Sequence, residues 1–325
     1  MIHPHFHLAL VEFLADHRNI YLSHFLHTIS FFGTAYFYFF FTMLIYLVWD
    51  KRLAVRLLVL LLLTMAFNDL LKLFIKNPRP FVADGTYKTK WAVPPFEAKA
   101  LVLEYSTPSG HAMGSAAFYS CLFAFTRNRF IRLGLVVLIV LIGVSRPYLG
   151  VHYVEDVLLG WALGLPFGLV AIRYTEHLAS RWREVPYGFQ IAITVVGCAA
   201  VWLLAAALNR WQIDSQVREV TKYCGWLTGI VIGCPLELRI VNFDPRSGRP
   251  AAKLLRYLLS IGIMMAVSFV LDSAFAPIGN ASIIASALDY LRLIAASFAG
   301  MFFAPFIFCK LKLAAPRPVS RSQPA

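Results

Sequence analysis

Residues 53–75 read LAVRLLVLLLLTMAFNDLLKLFI. The run matches the roughly 20 apolar residues that cross about 30 Å of hydrocarbon. In a bilayer the backbone must satisfy its own hydrogen bonds, so this segment is expected to be a helix. Working outward, the same reading applies to residues 24–49 before it and to 111–126, 130–144, 153–174, 189–208, 223–238, 254–275 and 288–309 after it. The expected fold is all-α, a polytopic membrane helical bundle of about eight or nine transmembrane helices. The span at 223–238 is the weakest. Residues 5–16 are apolar but short, which suits an interfacial or re-entrant helix.

Composition agrees. The chain has 325 residues, 59% of them hydrophobic, and a mean hydropathy of +0.67. Charged residues make up 14%, against about a quarter in soluble domains. That excludes an ordinary soluble enzyme. The net charge of +13 is explained by Lys and Arg gathering on cytoplasmic loops, so no nucleic-acid partner is expected. The five cysteines, Cys121, Cys198, Cys224, Cys234 and Cys309, all fall in apolar stretches without a C-x-x-C pair. They read as small core residues, neither a disulfide framework nor a metal cluster. His3, His5 and His7 alternate at the terminus without second ligands, and no metal site is expected there. The first 20 residues lack the basic start and cleavage site of a signal peptide, so the first span is expected to direct insertion.

Loop charges orient the spans. Basic clusters at Lys51–Arg56, Arg127–Arg132, Arg173–Arg183, Arg239–Arg256 and Lys310–Arg321 alternate with the opposite ends. The positive-inside rule places the N-terminus outside and the C-terminus in the cytoplasm, provided 223–238 crosses. Two outer loops break the rule: one carries Lys72, Lys76, Arg79, Lys88, Lys90 and Lys99, the other begins with Arg146. Positive charge on the wrong side calls for a local explanation, and binding an anion supplies one.

Three motifs lie at these places. The second span ends NDLLKLFIKNPRPF (68–81), where Asn68 and Lys72 share a helix face and Pro78 turns Asn77 away from helix, presenting Arg79 on an extended segment. Alone, such a lysine is equally a snorkelling helix end. The stretch EYSTPSGHAMGSAAF (104–118) places Pro108, Ser109, Gly110 and His111 before an apolar helix. Ser109 can cap that helix, and the amides of Ser109, Gly110 and His111 offer an anion site. In SRPYLGVHYVED (145–156), Asp156 follows His152 by one helical turn, close enough to fix the ring's tautomer. Alone, that pair is also a helix-start ion pair.

Together the motifs have the form K-x6-R-P, P-S-G-H and S-R-x5-H-x3-D. This resembles the type 2 phosphatidic acid phosphatase superfamily, the lipid phosphate phosphatases, and every signature position is filled: Lys72, Arg79, Pro80, Pro108, Ser109, Gly110, His111, Ser145, Arg146, His152 and Asp156. The resemblance covers roughly residues 25–180, a core of five to six helices. The later GWLTGIVIGCPLE segment (225–237) is similar to helices appended in some bacterial members.

The expected organisation is an N-terminal interfacial or re-entrant segment (1–23), a phosphatase membrane core (24–185), appended C-terminal helices (186–313) and a disordered Pro-, Ser- and Arg-rich tail (314–325).

The resemblance implies hydrolysis of lipid phosphate or diphosphate esters through a phosphohistidine, without metal or other cofactor. In that reading His152 attacks phosphorus, Asp156 orients it, and His111 exchanges the proton. Lys72, Arg79, Ser109, Gly110 and Arg146 would hold the phosphate. The substrate partner is a lipid phosphate in the plasma or bacterial inner membrane, with the site facing outside. Two alternatives use the same residues: a lipid phosphotransferase, and a non-hydrolytic lipid transporter or flippase. Gly160, Gly164 and Gly168, like Gly225, Gly229 and Gly233, recur every four residues. Close helix packing is the expected use, with homo-oligomer formation the alternative. The long outer loop, residues 80–107, is expected to cover the site or help select the lipid.

Overall fold

The computed structural model describes residues 8–278 and 283–317, and His3, His5 and His7 lie outside this range. Among the described residues, fourteen α-helices follow one another: α1 Leu8–Asp16, α2 Ile20–Phe31, α3 Ala35–Val48, α4 Lys51–Ile75, α5 Tyr87–Lys90, α6 Pro95–Leu101, α7 Gly110–Phe125, α8 Arg129–Tyr148, α9 Val154–Glu184, α10 Tyr187–Leu208, α11 Ser215–Leu236, α12 Pro250–Phe275, α13 Ile283–Phe298 and α14 Ala304–Lys310. π-helical turns at Glu237–Val241 and Ala299–Phe303 extend α11 and join α13 to α14. The expected all-α membrane bundle is what is observed.

Seven stretches among the described residues are long and apolar enough to cross a membrane: α4, α8, residues 154–174 of α9, α10, 215–241, α12 and 283–310. The expected span at 24–49 is instead two helices, α2 and α3, bent by 47°. Asn19 starts α2 four residues earlier than expected by accepting from the Tyr21 and Leu22 amides. At the break, Thr34 Oγ1 donates to Phe31 O and accepts from Phe37 N, ending one helix and opening the next. Helix α7, expected as a span, has only 16 residues, about 24 Å at 1.5 Å per residue.

The chain divides into two compact units that interleave in sequence, the first comprising residues 1–39, 57–184 and 201–220 and the second the remainder. In the first, α7 is the central helix, with nine of its residues buried. Its Ala-Gly-Ser composition lets α9 lie against it. A Cβ on Gly160 would stand 2.9 Å from Ser109 O, and one on Gly164 would collide with Met113 O. A Cβ on Gly168 would collide with the Ser120 hydroxyl. The first glycine stripe therefore packs helices and fixes the start of α9 beside the start of α7.

The outer loop folds over the same end. Trp91 Nε1 donates to Pro80 O at 3.0 Å, and Phe81, Trp91 and Leu101 form a cluster with Val11 of α1 and with Leu149 and Val151. Of residues 5–16, expected to be interfacial or re-entrant, the described Leu8–Asp16 form a short helix whose Val11 is fully buried while Phe13 is 56% exposed.

In the second unit, Gly225 and Gly229 of α11 meet Tyr290 and Ser297 of α13, so the second stripe also packs helices. Lys51 Nζ lies 2.9 Å from Glu237 Oε2, and both side chains are buried. Glu237 also accepts from Phe243 N. Residues 314–317, expected to begin a disordered tail, are held: Pro316 bridges Phe243 and Arg317 N donates to Asn242 O at 2.7 Å. The rest of that tail lies outside the described residues.

Candidate active site

The site is assembled in the first unit from the C-terminal end of α4, the loop after it, the mouth of α7 and the α8–α9 turn. Helix α4 stops at Ile75, and Lys76 takes a left-handed φ of 54°. The following Asn77-Pro78 segment leaves the helix, as expected, and carries Arg79 back toward the turn after α8. Arg79 Nη1 donates to Val151 O at 3.0 Å and to His152 Nε2 at 2.8 Å.

His152 is 1% exposed. Its Nδ1 lies 3.3 Å from Asp156 Oδ2. The two contacts assign the tautomer: Nδ1 carries the proton toward the carboxylate, and Nε2 presents its lone pair. Burial, followed by the charge of Arg79, lowers the His152 pKa to about 3 against the opposing pull of Asp156. The ring is therefore neutral at physiological pH, the state a nucleophile needs.

Asp156 is held from three further directions. It accepts from the hydroxyls of Ser106 and Thr107 and from Tyr153 N at 2.9 Å. Thr107 in turn accepts from Asn77 Nδ2 at 2.8 Å, tying this carboxylate to the loop that carries Arg79. The sequence marks Asn77 only as the residue at which the helix ends, and it does not single out Ser106 and Thr107. Their only signal was the position of Ser and Thr just before the Pro-Ser-Gly-His run.

At the mouth of α7, Ser109 stands at the N-cap, but its hydroxyl makes no cap bond, contrary to expectation. Its amide is also not free for an anion, because Ser109 N donates to Asp156 O at 2.9 Å. The start of α9 takes that amide, and the buried Ser109 Oγ is left without a hydrogen-bond partner. Gly110 is small for a packing reason: a Cβ there would sit 3.3 Å from Asn68 Oδ1, and Asn68 Nδ2 in turn holds Pro108 O. The His111 ring packs on Gly33, in the electrostatic range of Arg146, His152, Arg79 and Lys72.

The cations are buried. Arg146 is 1% exposed and donates to the Ser30 hydroxyl, yet its Nε and Nη2 make no hydrogen bond, nor does Arg79 Nε. Lys72 pairs with Asp69 at 3.5 Å. Two carboxylates from the outer loop approach these cations. Glu104 Oε2 lies 2.9 Å from Arg79 Nη2 and 3.5 Å from Lys72 Nζ. Glu97 Oε1 lies 3.7 Å from Arg146 Nη2 and accepts from His27 through its other oxygen. Burial acts to raise the Glu104 carboxyl, but Lys72 and Arg79 outweigh it and hold its pKa down to about 2. Neither glutamate was identified from sequence, since nothing in the spacing distinguishes them from loop surface charges. Among the described residues, no three His, Cys, Asp or Glu side chains come together as a metal-ligand set.

Orphaned buried guanidinium donors beside an oriented neutral imidazole can receive an anion within reach of a nucleophilic nitrogen. Residues 53–179 match the family model described as the PAP2 superfamily. Residues 221–316 match the model of the PAP2 superfamily phosphatase transmembrane extension. The chain belongs to the PAP2 superfamily. The chain is 30% identical over 126 residues to phosphatidylglycerophosphatase B of Bacillus subtilis (strain 168), covering 36% of this chain and 55% of that protein, about half its length. Two crystal structures are also similar. The PAP2-type phosphatidylglycerolphosphate phosphatase of Bacillus subtilis has 24% identity and a TM-score of 0.43, covering 52% of this chain and 84% of that one. Aquifex aeolicus LpxE has 22% identity and a TM-score of 0.44, covering 54% of this chain and 100% of that one.

Proposed function

We propose that this PAP2 protein is an integral-membrane lipid phosphatase that hydrolyses lipid phosphate or diphosphate esters without a metal. The observation carrying this reading is the His152 Nε2 lone pair, oriented through Nδ1 by Asp156 and contacted by Arg79, with Arg146 in its electrostatic range and Lys72 sharing Glu104 with Arg79. The relative named a phosphatidylglycerophosphatase supports a phosphorylated membrane lipid as substrate.

In the proposed cycle, the phosphoryl group enters against the cations and Arg79 Nη1 turns from the ring to a phosphoryl oxygen. His152 Nε2 attacks phosphorus, forming the P–N bond as the P–O bond to the lipid breaks. His111 takes up a proton as the anionic phosphate enters among the cations and gives it to the departing oxygen. Water then attacks the phosphohistidine, its proton passes to His111, and inorganic phosphate leaves with the P–N bond broken. The buried cations stabilise the extra charge on the phosphoryl oxygens at each transition state. By the loop-charge pattern the site faces outside and the C-terminus lies in the cytoplasm.

The test is phosphate release by detergent-purified protein over a panel of lipid phosphates and diphosphates, with EDTA present. Release by the wild type and none by His152→Ala is expected. Wild-type rates in His152→Ala would refute the mechanism. Transfer of the phosphoryl group to a second lipid in place of water would instead identify the phosphotransferase alternative.

A further inference from the structure

Glu104 lies where an incoming phosphate oxygen would bind. Its Oε2 uses the same two donors, Arg79 Nη2 and Lys72 Nζ. Those cations are fixed, with side chains 2% and 8% exposed, whereas the Glu104 side chain is 32% exposed on the irregular segment between α6 and α7. The movable member of the pair is therefore the carboxylate. It directly follows Leu103, which is 67% exposed.

We propose that Glu104 is an internal competitor for the phosphate cradle, and so a specificity-determining residue that admits dianionic terminal phosphates and turns away monoanionic phosphodiesters. This rests on the phosphate-ester reading above. A bilayer surrounds such a site with diester head groups in vast excess over any phosphomonoester substrate. A cradle of three bare cations would fill with them. With Glu104 seated, a diester carrying one negative charge exchanges one monoanion for another and gains little attraction. A terminal phosphate carries close to two charges at neutral pH, its second ionisation lying near pH 6. It displaces the carboxylate with a net gain against Arg79, Lys72 and Arg146. Glu97, facing Arg146, adds to the same discrimination.

The experiment measures, in mixed micelles, the KM for phosphatidic acid and the inhibition constant of phosphatidylglycerol, a monoanionic diester. The variant Glu104→Gln keeps the side chain's size and removes its charge. Its expected signature is a phosphatidylglycerol inhibition constant at least tenfold lower, with a KM that falls far less, so that the ratio of the two collapses. Glu104→Asp should restore the ratio. An unchanged ratio, or both constants rising together as damage to the cradle would cause, overturns the proposal. If Glu104→Gln does not fold, Glu104→Ser gives the same readout.

Failure of the phosphatase reading is separable. If the wild type releases phosphate from no lipid, equilibrium binding of the same two lipids decides the point. Preference for the monoester in the wild type and its loss in the variant supports Glu104 as the competitor. Equal binding of both lipids by the wild type, or binding of neither, overturns it.

Discussion

At the residue scale, the environment of His152, the proposed nucleophile, is built mostly by neighbours of Asp156. A buried carboxylate accepting from two hydroxyls and an amide keeps its charge and its direction, and through Nδ1 it fixes the lone pair of His152. Asp156→Asn presents an amide that can hold the wrong tautomer, and kcat is expected to fall by about 10³-fold or more, by analogy with other orienting carboxylates. Its thermal midpoint in detergent should shift far less than that loss of rate suggests. Thr107→Val removes one bond to a charged acceptor, worth about 1.5–3 kcal/mol, and should lower kcat by about tenfold or more.

The pH dependence follows from the lowered pKa of His152, about 3 in the folded protein against 6.5 ordinarily. Because the folded ring binds its proton more weakly than the unfolded one, its contribution to stability is full above about pH 6.5. That contribution is lost progressively as pH falls toward 3. Arg79→Gln removes the largest charge opposing protonation, so the His152 pKa should rise. The ring's nitrogen chemical shifts, followed from pH 7 to 4, should show the midpoint move up, and an unmoved midpoint would contradict the assigned contact.

At the element scale, α9 is positioned by having no side chains where it crosses α7. Gly164 is the tightest backbone contact, with Met113 O where its Cβ would be. Overpacking costs about 1–3 kcal/mol or more. Gly164→Leu is thus expected to lower the thermal midpoint and to lose activity, because the start of α9 carries Asp156 and the turn before it carries His152. A Cβ on Gly134 of α8 would meet no neighbour within 4 Å among the described residues. Gly134→Ala should be neutral or slightly stabilising, as expected for Gly replaced in a helix. Equal effects from the two substitutions would mean that the stripe does not position the site.

At the scale of the whole molecule, each compact unit buries its own charge cluster. In the second unit, Lys51 and Glu237 form a buried pair, with Glu237 also accepting from Phe243 N and Lys51 4.4 Å from the centre of the Phe243 ring. Removing one partner of such a pair costs about 3–5 kcal/mol, whereas replacing both by apolar residues is often close to neutral. Lys51→Met and Glu237→Leu should each lower the thermal midpoint sharply, and the double variant should recover most of the loss.

The sequence alone settled the membrane-helical class, because hydrocarbon leaves a long apolar segment few backbone choices. It also marked the three motifs, because a histidine, an arginine or a Pro-Ser-Gly step is conspicuous among leucines. Packing alone decided the rest. The 24–49 span is broken at Thr34, a side-chain cap that hydropathy does not register. The Ser109 amide went to the Asp156 carbonyl because the glycine stripe brings α9 that close. Glu97, Glu104, Ser106 and Thr107 acquired their partners only when a loop with no periodicity folded over the cations. Local sequence governs what a segment can be in lipid, but hydrogen bonds between residues dozens of positions apart depend on distances that only the folded chain sets.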